Sequence, residues 1–217
     1  MTTLIIATRN RHKADEIRAI LGSDFRFLTL HDFPEAPKVV EDAPTFAGNA
    51  TKKAVELARW LAKIRSLKFD VRGSRFCVLA DDSGLEVDAL SGAPGVHSAR
   101  FAASEKTSDN SSDAANCEKL LRLLKDVPPE KRTARFCCVI ALDEIPGIKT
   151  ELFDGACEGK IIFSPRGGRG FGYDPLFVPE GFEQTFAELG DEVKNQTSHR
   201  AKALAKLRQR LDSTKSR

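Results

Sequence analysis

Ala80-Asp81-Asp82-Ser83-Gly84-Leu85 follows the apolar run Phe76 to Leu79 directly, so two adjacent carboxylates stand where a strand is expected to end. Carboxylate oxygens there can hold a hard cation such as Mg²⁺ together with substrate phosphates. Two carboxylates this close repel, and a bound divalent cation relieves the repulsion. Asp, Ser and Gly are also ordinary turn residues, so the pair alone does not decide between a metal site and a turn. Thr8-Arg9-Asn10-Arg11-His12-Lys13 lies between an apolar strand and a helical pattern. A helix N-terminus offers unpaired N–H groups and positive potential to an anion; Thr8 and Asn10 can donate to phosphate and Lys13 adds full charge. No Walker glycines are present, and by itself the segment is a helix cap followed by a solvated basic turn.

Three further segments carry polar chemistry. Glu41 to Ala54 opens a second helix, where Glu41 and Asp42 can complement the helix dipole and Lys52 and Lys53 can form a solvated face. Pro165 to Tyr173 is glycine-rich but lacks the dinucleotide fingerprint, and its Arg-Gly-Gly-Arg-Gly-Phe run is flanked by foldable strands rather than set in a low-complexity tail. Glycines that let backbone approach a base, Phe171 to stack on it and Asp174 to accept hydrogen bonds suit a purine pocket. Lys194 with Ser198-His199-Arg200 supplies donors. Donors aimed at the six-position of a purine favour a keto base over adenine.

In this order the five segments resemble the inosine triphosphate pyrophosphatase family, which hydrolyses non-canonical purine nucleoside triphosphates. The resemblance runs from about Leu4 to Leu211 and leaves unmatched mainly the basic insert Arg65 to Arg75 and the polar stretch Glu105 to Asp113. It implies that Thr8, Arg9, Asn10, Arg11, His12 and Lys13 grip the triphosphate. It also makes Asn49 a substrate contact, Lys53 a phosphate partner and Ser83 a further substrate contact. Glu41 and Asp82 become the ligands of Mg²⁺, with Asp42 the fallback for Glu41, and Asp82 the residue that positions or deprotonates the attacking water. Phe171, Gly172, Tyr173, Asp174, Lys194, His199 and Arg200 surround the base, although Tyr173 also fits a packing role. Around Glu41 the chain departs from the family's pattern, because Val40 precedes Glu41 and Ala43-Pro44 replaces a glycine-containing step. Gly92 to Phe101 matches a Gly-x-Pro-Gly-x-x-Ser-Ala-Arg segment that shapes the cleft, with Arg100 either a phosphate or a dimer contact.

These groups need elements to hold them. Leu4 to Ala7 and Phe76 to Ala80 read as strands; Lys13 to Leu21, the stripe Phe46-Ala50-Ala54-Leu57-Ala58-Leu61, and Ala114-Cys117-Leu120-Leu121-Leu124 read as helices. Alternation over Ala134 to Leu142 predicts a longer strand, Pro146-Gly147 a turn into Thr150 to Asp154, and Glu158 to Phe163 a further strand. A last helix starts at Ser198 as N-cap and buries Ala201, Leu204, Leu207 and Leu211. The expected fold is α/β: an elongated, two-lobed mixed sheet with flanking helices and the nucleotide in the cleft between lobes. Residues 1–211 form a single pyrophosphatase domain and residues 212–217 a frayed tail.

At 217 residues the chain is long enough to bury a core without staples. A net charge of +3 set against 34 basic and 31 acidic residues argues against a dedicated nucleic-acid binder. No apolar run approaches the roughly 20 residues that span a bilayer, and no secretory signal opens the chain. The five cysteines show no C-x-x-C spacing and read as core or surface residues in a reducing, cytoplasmic compartment. The expected partner is a purine nucleoside triphosphate, with no nucleic acid or membrane, and the family's habit implies a homodimer. Rival readings are a nucleotide pyrophosphatase of different base preference and an RNA-binding module built on Arg166 to Arg169 and the basic insert.

Overall fold

The computed structural model describes residues 2–68, 75–103, 110–145 and 149–215. Six strands, β1 (Thr2–Ile6), β2 (Arg26–Thr29), β3 (Arg75–Val87), β4 (Thr133–Glu144), β5 (Thr150–Ile161) and β6 (Phe177–Pro179), form one sheet in the order β2-β1-β3-β4-β5-β6. β1 runs parallel to β2 and β3, with Leu4 opposite Phe27 and Cys77, while β5 and β6 are antiparallel. The sheet is therefore mixed, and the fold is α/β. Leu4, Ile5 and Ile6 are all buried, the continuous apolar run expected of a parallel strand covered on both faces.

The helices are α1 (Arg11–Leu21), α2 (Phe46–Lys68), α3 (Asp113–Leu123), α4 (Phe186–Leu189), α5 (Asp191–Thr197) and α6 (His199–Lys215). The Asn10 side chain caps α1 by accepting from the Lys13 N–H, and Gly22 ends it with its N–H on the Arg18 carbonyl. Ser198 Oγ accepts from the Ala201 N–H, the N-cap expected for the last helix.

The chain divides into two compact units. The first comprises Met1–Asp82, Val139–Asp154 and Ala203–Arg217, the second Ser83–Cys138 and Gly155–Lys202. In the first, the α2 stripe Ala50, Ala54, Leu57, Ala58 and Leu61 packs on Ile5, Ala7, Val78 and Ala80. Phe33 and Trp60 meet edge-on beside it, 6.2 Å between centroids. The second unit is built on Leu85, Val87, Leu120, Leu124, Phe136, Phe177 and Phe186.

Several expectations change. β3 does not stop at the acidic pair but continues through Asp81-Asp82-Ser83-Gly84 to Val87. Thr150 to Ile161 is one strand rather than two, and short β2, β6, α4 and α5 carry no amphipathic period long enough to announce them. The residues expected as a frayed tail are helical as far as Lys215, helped by an ion pair between Arg208 and Asp212. The Pro146-Gly147 turn and most of the insert Arg65 to Arg75 lie outside the described residues, apart from helical backbone to Lys68. No described helix is long and apolar enough to cross a membrane, and all five cysteines are free.

Candidate active site

Side chains of neighbouring strand residues point to opposite sheet faces, so the continuation of β3 separates the two aspartates that the sequence places side by side. Asp81, 2 % exposed, pairs with Lys13 of α1, Nζ to Oδ1 at 2.7 Å. Asp82, 6 % exposed, follows Val78 and Ala80 on the face covered by α2 and meets Asn49 and Lys53, one turn apart on that helix. The relief of carboxylate repulsion expected for Asp81 and Asp82 therefore belongs to a different couple, Glu41 and Asp82.

Lys53 is the hub of this first set. Its Nζ lies 2.9 Å from Glu41 Oε2, 2.8 Å from Asp82 Oδ1 and 2.7 Å from the Asp81 carbonyl, using all three ammonium protons. Asn49 Nδ2 reaches Asp82 Oδ2 at 3.4 Å, and its Oδ1 accepts from the Ala43 N–H at 2.9 Å, fixing the segment before α2 that carries Glu41. Burial pushes the Asp82 carboxyl up to about 6, against the opposing pull of Lys53 and Lys13, and a hydrogen bond with Glu41 pushes the same way. Glu41 is shifted down: burial opposes this most strongly, but the charge and hydrogen bond of Lys53, with Asp82 and Lys13, together outweigh it. The two shifts thus run in opposite directions, Asp82 up and Glu41 down, across the ammonium group that both carboxyls face. Among the described residues no group of three His, Cys, Asp or Glu side chains stands ready for a metal.

The second set lies in the other unit. Asp174, 2 % exposed, accepts from Lys194 Nζ at 2.5 Å and from the Phe171 N–H at 2.9 Å. Lys194 Nζ stands 4.4 Å from the centre of the Phe171 ring, a cation–π contact. Gly170 has φ 75°, and a Cβ there would overlap the Asp174 carboxylate, so glycine lets the loop close on its own acid. His199 stacks on Phe136, 4.8 Å between centroids and 12° between planes, with Phe177 edge-on to the same ring. Arg200, 1 % exposed, donates to Ser83 Oγ at 2.8 Å. A flat aromatic surface, a buried acid and three buried cationic or imidazole donors suit a heteroaromatic ligand with keto and ring N–H groups.

The structure sorts the expected residues. Lys13, Glu41, Asn49, Lys53 and Asp82 gather in the first unit. Ser83 meets Arg200 in the second, where Phe171, Asp174 and Lys194 form one cluster and His199 stands on Phe136. Thr8 and Asn10 are occupied locally, Thr8 Oγ1 with the Asn10 N–H and Asn10 with the α1 cap, at the helix start an anion would approach. Arg9 donates to the Ala36 carbonyl at 3.2 Å, and Arg11 and His12 are exposed on the first turn of α1. Tyr173 is a core residue: it is 3 % exposed, its hydroxyl donates to the Ser98 carbonyl at 2.9 Å and its own carbonyl accepts from the Leu176 and Phe177 N–H groups. Gly172 offers no free amide, since Asp113 accepts it. Asp42 pairs with Lys52 at the surface, which favours Glu41 as the functional acid.

Two partnerships escaped the sequence reading, that of Asp81 as counter-ion of Lys13 and that of Phe136 as platform for His199. Alternation on β3 carries a signal for the first; nothing local marks the second. The Arg-Gly-Gly-Arg run is folded in place: Arg166 donates to the Glu183 carbonyl and pairs with Glu188, while a Cβ at Gly167 would collide with the Ala187 backbone.

The Ham1 family model matches residues 4–210, through both units. A dITP/XTP pyrophosphatase of Geobacter sulfurreducens is 50 % identical over 212 residues, covering 97 % of each chain, and one of Shouchella clausii is 45 % identical over 212 residues, covering 98 % of each. The HAM1 protein structure from Coxiella burnetii superposes with a TM-score of 0.81 at 34 % identity, covering 98 % of this chain and 100 % of that one. A nucleoside-triphosphatase / dITP/XTP pyrophosphatase structure from Mycobacterium abscessus gives 0.69 at 38 % identity over 94 % and 98 %. Matched along nearly all its length in sequence and in fold, this chain belongs to the Ham1 family.

Proposed function

We propose that this protein hydrolyses the non-canonical purine nucleoside triphosphates ITP, dITP and XTP to the monophosphate and diphosphate, removing deaminated purines from the nucleotide pool. The observation that carries the reading is Lys53 held against Glu41 and Asp82 with Lys13 alongside, an acid–base wall suited to a polyphosphate, in a chain whose relatives are named dITP/XTP pyrophosphatase. Lys13, at the start of α1, and Lys53 bind phosphate oxygens, and the helix N-terminus adds its unpaired N–H groups. Asp82, its carboxyl near neutrality, accepts the proton of the water that cleaves the α–β anhydride. Phe171 stacks on the base, and Lys194, His199 and Arg200 supply donors for a six-keto group.

A divalent cation fits the first set, because Glu41 and Asp82 are two carboxyls gathered on one ammonium group, and Mg²⁺ is characteristically held by one or two carboxylates plus substrate phosphates. Mg²⁺ bound there supplies neutralisation of phosphate charge and orientation of water. Five free thiols are consistent with a cytoplasmic setting, and the family resemblance supports a homodimer, which sedimentation measures directly.

Diphosphate release from ITP, XTP, GTP, ATP and dTTP, with and without Mg²⁺, tests the whole reading. Turnover of ITP and XTP well above the others, dependent on Mg²⁺, is expected. Equal turnover of dTTP would point to another base preference, and RNA affinity with a steep salt slope and no turnover would replace the enzyme reading altogether.

A further inference from the structure

Helix α3 holds both peptide groups that flank Gly172. The Asp113 carboxylate, in the first turn of α3, accepts the Gly172 N–H at 2.7 Å; the Cys117 thiol, one turn on, donates to the Gly172 carbonyl at 3.4 Å. Spacing of i and i+4 puts both groups on one helix face. The next residue is tied as well, by the Tyr173 hydroxyl on the Ser98 carbonyl. α3 is in turn pinned to the segment that carries Ser98: Asn116, 2 % exposed, accepts from the Ala102 N–H at 2.8 Å and donates to the Ala99 carbonyl at 3.4 Å.

What this frame holds is the loop that presents Phe171 and Asp174. The run 166–170 has no regular secondary structure, so the Phe171-Gly172 peptide is oriented by Asp113 on its N–H and by the Asp174 N–H on its carbonyl at 3.3 Å. Displacement of that peptide would shift Phe171, whose ring stands against Lys194 and whose N–H bonds to Asp174, the acid that also receives Lys194. A displacement of even about 1 Å in a binding group degrades recognition strongly.

We infer that Asp113 and Cys117 are positioning residues for base selection: by clamping the Gly172 peptide they fix where the ring of Phe171 and the Asp174–Lys194 pair stand, and so set the discrimination among purine bases. The inference rests on the second unit's set being the base-binding one. Neither residue is placed against the nucleotide, and the effect passes through the loop alone.

The test measures kcat and KM for ITP and ATP, with Mg²⁺, in the wild type and in Asp113→Ala, Asp113→Asn, Asp113→Glu, Cys117→Ala and Cys117→Ser. Loss of one charge-assisted hydrogen bond in Asp113→Ala is expected to lower the ratio of kcat/KM for ITP over ATP by about three- to tenfold. The change should lie mainly in the KM for ITP, with kcat within about twofold of wild type. Asp113→Asn keeps an acceptor and should stay within about twofold in that ratio, whereas Asp113→Glu keeps the charge at the helix start but displaces the acceptor and should behave like alanine. Cys117→Ala should lower the ratio less, and Cys117→Ser restore it. An unchanged ratio in Asp113→Ala, or rescue by Glu and not by Asn, overturns the clamp and leaves Asp113 a helix-stabilising charge. A wild type that does not favour ITP over ATP overturns the base assignment first, and the clamp's role in selection with it.

Discussion

The candidate groups of the first unit are held by paired charge and those of the second by ring faces and a folded loop, and the two sets are built to different tolerances. Lys13, Lys53, Asp81 and Asp82 stand on strands and long helices, each ion pair between elements far apart in the chain. Phe171 and Asp174 stand on a glycine-bearing loop fixed by bonds from side chains to backbone. Coulombic grip on a polyphosphate is long-ranged and forgiving of small displacements, whereas stacking and hydrogen bonding to a base fall off within a fraction of an ångström. On the proposed reading, rigid elements serve the part of a nucleotide that all triphosphates share, and a loop held by side-chain bonds serves the part that distinguishes them.

The largest break in that contrast should come from Asp82→Asn. It leaves an acceptor for Lys53 but no base of suitable pKa, and diphosphate release should fall by about 10²–10⁴-fold while the circular dichroism spectrum is kept. An unaffected rate removes Asp82 from its role. Next, Lys53→Met should remove the shared counter-ion of Glu41 and Asp82, lowering stability by about 1–3 kcal/mol in denaturant titrations and weakening every triphosphate alike. Phe171→Ala should act on the other side: loss of base stacking amounts to about 1–3 kcal/mol of ITP affinity, with kcat for saturating ITP little changed. A loss equal for ITP and ATP would show that the ring does not discriminate.

A smaller effect follows from titration in the metal-free protein. The Asp82 carboxyl sits at about 6 in the folded protein against an ordinary value of 3.8, so the folded state keeps its proton longer. Its favourable contribution is complete below about 4 and is lost as pH rises through about 6, so thermal stability in chelator should decline across that window. Asp82→Asn should flatten the decline. The smallest effect belongs to Asp42, whose pairing with Lys52 is fully at the surface: Asp42→Asn should leave turnover within about twofold, while Glu41→Gln reduces it strongly.

How much of this is visible in the linear chain depends on the range of the interactions. The α2 stripe, the capping of α1 and α6 and the parallel strands β1 and β3 follow local periodicity, and the structure keeps them. The continuation of β3 through Asp81-Asp82-Ser83-Gly84 does not, because each of those residues is a turn former on its own, and only Lys13 and Lys53, distant in sequence, make burial of two carboxylates tolerable. Thr150 to Ile161 reads as two strands because Gly155 interrupts the pattern, yet pairing with neighbours carries the strand across. Similarly, the burial of Tyr173 depends on a carbonyl at Ser98 that no local signal connects to it. In the candidate site, residue types were legible and their partners were not: Asp81 and Asp82 are neighbours in sequence but serve opposite sheet faces.

Lys53 has one more consequence. An ammonium group covalently fixed to a helix cannot diffuse away, so when product and any cation depart, Glu41 and Asp82 remain gathered instead of springing apart. If this cluster is the hydrolytic corner proposed above, the protein keeps it assembled in the idle state, ready for the next arrival without rearrangement.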